Sequence, residues 1–124
     1  MVPRLSDHPI VGTWLSRANG PVLHGTIALE VECVDDTVLL TQIAADAAGR
    51  DVATKLAIQV DGRKHPIPFG DRMFLSISRR DPRGLVTRAI QDERVLVEGA
   101  YEVSEDGGSL RIDTARQSIV FERV

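Results

Sequence analysis

Residues 25–33 read GTIALEVEC. Ile27, Leu29, Val31 and Cys33 fall on one face, and Thr26, Glu30 and Glu32 on the other. Alternation of this kind is the signature of a strand with one face buried and one in water. A helix needs apolar positions at i, i+3, i+4 and i+7, and no 12-residue window of the chain shows that pattern between good caps. The stretch therefore points to an all-β fold.

Outward from it, short apolar runs recur with turn residues between them. Upstream, residues 10–17 form a strand that holds Trp14, the sole tryptophan. Downstream, Val34 and Asp35 connect to a strand over 36–44, and 45–50 is a polar, glycine-containing turn. The strand over 52–60 puts Val52, Thr54, Leu56, Ile58 and Val60 on one face and Lys55 and Gln59 on the other. Asp61-Gly62 is a strong hairpin signal. Residues 65–68 are short and broken by proline, which suits an edge or a corner. Strands follow over 72–79, 85–91, 94–103, 110–115 and 118–124, with turns at 81–84, Asp92-Glu93 and 105–108. Nine or ten strands in sequential hairpins would leave two exposed edges, and closure removes them. The expectation is a closed antiparallel up-and-down barrel of eight to ten strands with little or no helix.

The 124 residues suffice for one domain, 1–124, with 1–9 as an N-terminal extension. Net charge is −3 and no block of like charge runs beyond a pair, so a basic nucleic-acid footprint is not expected. One cysteine, Cys33, excludes an internal disulfide and reads as a small buried hydrophobe. No stretch resembles a secretory leader or spans a bilayer, so the chain is expected to be cytoplasmic and to bind no membrane.

Gly12 and Trp14 share a face, as do Ile119, Phe121 and Arg123. In a closed barrel the first and last strands are neighbours. Trp14 then fills the narrow end, Gly12 permits close packing, and Arg123 stacks on the indole. A structural role for Trp14 follows.

Five segments carry a resemblance: GTW (12–14), VDGRKHPIP (60–68), RRDPRGLVTR (79–88), VSEDGGSL (103–110) and VFERV (120–124). Their order and spacing over residues 10–124 are similar to small bacterial lipocalin-like proteins. That calycin-type group is largely without assigned activity and distantly similar to lipocalins and fatty-acid-binding proteins. The resemblance implies a barrel and no particular reaction. Fatty-acid-binding proteins place an Arg-x-Tyr pair on the last strand to hold a carboxylate; the matching positions here are Ile119 and Phe121, so that clamp does not carry over. Residues 18–24 cannot supply the two-helix lid of that family, which implies a more open mouth.

The three histidines, His8, His24 and His65, lack ligand spacing, and no nucleophile elbow, phosphate loop or dinucleotide fingerprint occurs. No metal or cofactor is expected. Tyr101 shares a face with Val95, Val97, Gly99 and Val103. It is either a core tyrosine bonded to backbone or a cavity group that binds a ligand or donates a proton, with Gly99 widening the cavity beside it. Arg88 is functional if the face of Val86 and Ile90 points inward. It is a surface charge if Leu85, Thr87 and Ala89 point inward, which is the favoured reading; Glu98 is read the same way. His24, near the mouth, suits acid–base work.

With only five aromatics the interior is expected to leave a cavity. The first functional expectation is binding of a small apolar molecule. Leu56, Ile58, Leu75, Ile77, Val97 and Phe121 would line the site, and Tyr101 would anchor the ligand. The alternative is an enzyme, an isomerase, cyclase or small hydrolase, acting on a hydrophobic metabolite through Tyr101, His24 or Arg88. A third is an interaction module with a filled core. Two inward ionisable groups within reach of each other would favour chemistry; one alone favours binding. A homodimer through the 65–68 edge or an exposed apolar face is a further expectation.

Overall fold

The computed structural model describes residues 4–19, 24–45, 48–68 and 71–124. A one-turn 3-10 helix, Leu5–Asp7, precedes ten antiparallel strands. They are β1 (Gly12–Asn19), β2 (His24–Val34), β3 (Thr37–Ala45), β4 (Asp51–Gln59), β5 (His65–Pro66), β6 (Met73–Asp81), β7 (Gly84–Gln91), β8 (Arg94–Val103), β9 (Ser109–Thr114) and β10 (Ser118–Arg123). All belong to one sheet in the order β4-β3-β2-β1-β10-β9-β8-β7-β6-β5. The alternation along residues 26–32 sets the inside: Ile27, Leu29 and Val31 of β2 are buried, and Thr26, Glu30 and Glu32 are exposed. Facing them in the core are Val38, Ile58, Ile77, Leu85, Val103, Leu110, Ile119 and Phe121.

The first and last strands pair as expected, with Trp14 opposite Arg123 and Leu15 opposite Glu122. Trp14 is fully buried and its indole N–H donates to the Ile10 carbonyl at 2.9 Å. The Arg123 guanidinium lies 4.2 Å from the indole centroid. It also donates to the carbonyls of Pro9 (2.6 Å), Val11 (3.0 Å) and Gly107 (2.8 Å). Gly12 sits at φ +146°, and a Cβ there would collide with Arg123 Nη1. Leu5, His8 and Ile10 are buried beside these residues, so the segment before β1 plugs this end. That packing has no periodic signal in the sequence.

The expected hairpin closure at Asp61-Gly62 does not occur. β4 and β5 are the two ends of the sheet order and do not pair, so the barrel is nearly closed, with a seam between them. The turn is real: Gly62 has φ +76°, and the Asp61 carboxylate accepts from the Arg63 N–H (2.8 Å) and bonds His65 Nε2 (2.9 Å). These bonds are local, however, and the Gly62 N–H donates to the Ile77 carbonyl of β6 instead of to β4. Pro66 carries no N–H that could complete a ladder. β5 is thus an edge, as its proline suggested, and the outer edge of β4 is the other.

The β7–β8 hairpin turns at Asp92 (φ 50°) and Glu93 (φ 62°), the two left-handed positions of a type I′ turn. Above it the register shifts: Ala89 pairs with Val97 but Ile90 with Val95, so Leu96 is the extra residue of a bulge. Among the described residues, no helix is long and apolar enough to cross a membrane.

Candidate functional site

The plugged end holds the 3-10 turn, Trp14 and the 105–108 turn. At the opposite end lie the start of β2, the β7–β8 turn and the β9–β10 connection. Between the ends is a cavity of about 690 Å³. Its walls are inward positions of strands far apart in sequence: Ile27 on β2 and Gln42 on β3, with Tyr101 on β8, Ile112 on β9, and Ile119 and Phe121 on β10 across from them. Leu96, Val97 and Glu98 of the bulged strand and residues 114–117 form the rim. Thr114 Oγ1 accepts from the N–H groups of Arg116 and Gln117, which organises the rim turn.

The wall is mainly apolar. Tyr101 is its one ionisable group among the described strand positions that face inward there. Burial pushes its phenol above the ordinary value, so it stays protonated and able to donate. Neither the Tyr101 hydroxyl nor the Gln42 side-chain amide makes a hydrogen bond with any described residue, and both border the cavity. The backbone partner considered for Tyr101 is absent among the described residues.

Other candidates separate. Val97 and Phe121 line the cavity with Tyr101. Ile58 and Ile77 sit in the buried core, and Leu56 and Leu75 pack against it, outside this lining. Arg88 lies opposite Glu98 across β7–β8, on the face away from Thr87, and donates to its carboxylate at 3.1 Å. Both side chains are about half-exposed, which places Arg88 on the outer surface. The backbone of His24 begins β2 at the open end; its side chain lies outside the described residues, as does the first loop over 20–23. Gly99 does not widen the cavity: the Thr87 hydroxyl of the neighbouring strand occupies that space, only 2.8 Å from where a Cβ would stand. Ile27, Ile112 and Ile119 also line the cavity without having been expected there, and Gln42, which the sequence alone cannot tell from Thr54 or Thr87 as a ligand-orienting residue, lines it too. Their inward alternation was legible, but their meeting across the barrel was not.

A second cleft, of about 380 Å³, lies on the outer surface near the plugged end, where Arg83, Glu102, Ser104, Ser109 and Arg111 meet. Glu102 there holds both Arg80 (3.1 Å) and Arg111 (3.4 Å), and Arg111 also holds Asp113 (2.8 Å). This is a solvated ion-pair network with its charges mostly satisfied. Cys33 is half-buried against the core, and burial raises its thiol pKa, which opposes nucleophilic use. Among the described residues no group of three or more His, Cys, Asp or Glu could hold a metal ion.

Ten up-and-down antiparallel strands around an open-ended cavity define a calycin-like barrel. Solved structures share it. The wild-type fluorescent protein UnaG superposes with a TM-score of 0.70 over 93% of this chain and 97% of its own, at 15% identity. A variant of a fatty acid transporter gives 0.64 over 93% and 98%, at 10% identity. A secretary abundant heat soluble protein from Ramazzottius varieornatus gives 0.71 over 98% and 100%, at 7% identity. At these identities the likeness is one of fold. No family model matches the sequence, and no curated protein is significantly similar to it.

Proposed function

We propose that this protein binds a small hydrophobic molecule inside its barrel. The observation that carries the reading is the open-ended cavity of about 690 Å³, with a mainly apolar wall and few polar groups. That volume falls within the roughly 300–1,000 Å³ of small-molecule sites, and its composition matches theirs. A fatty acid transporter among the proteins of the same fold supports the same reading.

The enzymatic alternative draws less support. Proton transfer between wall groups needs two ionisable side chains within reach of each other. Tyr101 stands alone on the described wall, Arg88 is on the outer surface, and Glu98 at the rim is held by Arg88.

Native mass spectrometry of the protein purified from its own host, compared with the denatured mass, tests the proposal. The expected result is a discrete adduct that is lost on denaturation. A clean unliganded mass, together with failure to bind an apolar fluorescent probe, would count against a binding cavity.

A further inference from the structure

We infer that the molecule held in the barrel is a neutral lipophile with a hydrogen-bonding carbonyl, such as a ketone, ester or amide, and that no carboxylate lies within the cavity. The inference rests on the binding reading above and specifies its ligand class.

Two polar side chains face the cavity from opposite walls: the Tyr101 hydroxyl on β8 and the Gln42 amide on β3. Neither is bonded to a described residue. An unpaired donor enclosed by a ligand is costly, and a ligand acceptor removes that cost. The phenol is held protonated by its surroundings, so it offers a hydrogen. The amide N–H₂ offers two more. A carbonyl oxygen accepts from either without bringing charge into the barrel.

A carboxylate needs a different environment. Desolvated without a cation it is strongly disfavoured and takes up a proton instead. The described arginines do not supply that cation at depth. Arg88 is outside and engaged by Glu98, and Arg123 is committed to Trp14 and three backbone carbonyls at the plugged end. On the last strand the inward positions are Ile119 and Phe121. Arg116 reaches the cavity only at its rim and is exposed. The space equals that of about 23 water molecules at ~30 Å³ each, enough for a ligand of drug-like size.

The test uses the full chain and three probes. Diphenylhexatriene, a hydrocarbon, reports the cavity alone. The methyl ketone 2-tridecanone and the anion dodecanoate, at pH 8, compete for it. The expected result is that the hydrocarbon binds and the ketone displaces it at a concentration at least tenfold lower than dodecanoate. Tyr101→Phe and Gln42→Leu each weaken the ketone about tenfold more than they weaken the hydrocarbon, with the melting temperature confirming that each variant folds. Dodecanoate competing as well as the ketone, with its binding lost in Arg116→Ala, would overturn the inference and leave the binding reading standing. So would ketone affinity that is indifferent to both wall substitutions. Failure of all three probes to bind would remove the binding reading itself.

Discussion

Replacing Arg123 with Met keeps the aliphatic stem and removes the guanidinium. Three backbone carbonyls, those of Pro9, Val11 and Gly107, lose their donor, and the indole of Trp14 loses its cation. Each hydrogen bond contributes about 1 kcal/mol net, and an exposed cation–π contact about 0.5 kcal/mol more. The expected loss is therefore about 3.5 kcal/mol, within a range of roughly 2–5. The unfolding entropy of 124 residues is about 0.26 kcal/mol/K, at ~2.1 cal/mol/K each, so this loss corresponds to a fall in Tm of about 13 °C. Trp14 is the sole tryptophan and lies under the guanidinium, so urea unfolding followed by its fluorescence reads the site directly, with circular dichroism as the global check. Arg123→Lys retains charge and can reach some of the acceptors, so it should lose about half as much. A loss below ~1 kcal/mol for Arg123→Met would refute the clamp, because even the low end of three hydrogen bonds exceeds it.

Three further outcomes are expected. Gly12→Ala should cost about 1–3 kcal/mol, since its φ of +146° disfavours a Cβ and Arg123 occupies the space; the cost should shrink in the Arg123→Met background, as a double-mutant cycle would show. Burial first and Arg79 second lower the His8 pKa below 6.5, partly offset by Asp81. The unfolded chain therefore takes up a proton that the folded one refuses, and stability measured by urea titration should fall from pH 7 towards pH 5. His8→Asn should flatten that slope. The hydrogen-bonded carboxylates of Asp61, Asp106 and Asp113 have lowered pKa values, so their contribution is lost only at more acid pH. Cys33 should react with an aromatic disulfide reagent at least tenfold more slowly in the native protein than in denaturing urea; equal rates would contradict its packing.

Strand positions were readable because alternation and turn chemistry are local. The Asp92-Glu93 turn, the 105–108 turn and the face shared by Gly12 and Trp14 all depend on residues a few positions apart. The Arg123 stack was readable because barrel topology brings first and last strands together. The seam between β4 and β5 was not. Asp61-Gly62 announces a turn, but whether the flanking strands pair is decided by Ile77 on another strand and by Pro66. The bulge at Leu96 was equally hidden, as nothing in RVLVEGAY marks which residue the partner strand skips. Of the residues expected at the cavity from their facing, Tyr101, Val97 and Phe121 line it, whereas Leu56, Ile58, Leu75 and Ile77 lie in or against the packed core. Nothing in the sequence singles out Gln42 from other polar strand residues, because it faces the same space as Tyr101 from a strand some sixty positions earlier.

The linear strand order also shapes how the chain reaches this fold. Every ladder but one joins strands that follow each other, so β1–β4 and β5–β10 can each assemble as a local meander. The exception joins Trp14 to Arg123 across nearly the whole chain, and its loop-closure entropy must be overcome before any long-range contact compensates. Only two residue pairs define its register, reinforced by the Ser16 hydroxyl on the Val120 carbonyl and the Val124 N–H on the Thr13 carbonyl. This suture is where the two half-sheets are expected to become one barrel. The indole lies on it, so tryptophan fluorescence in a refolding experiment should lag behind the signal of strand formation and time the joining of the halves.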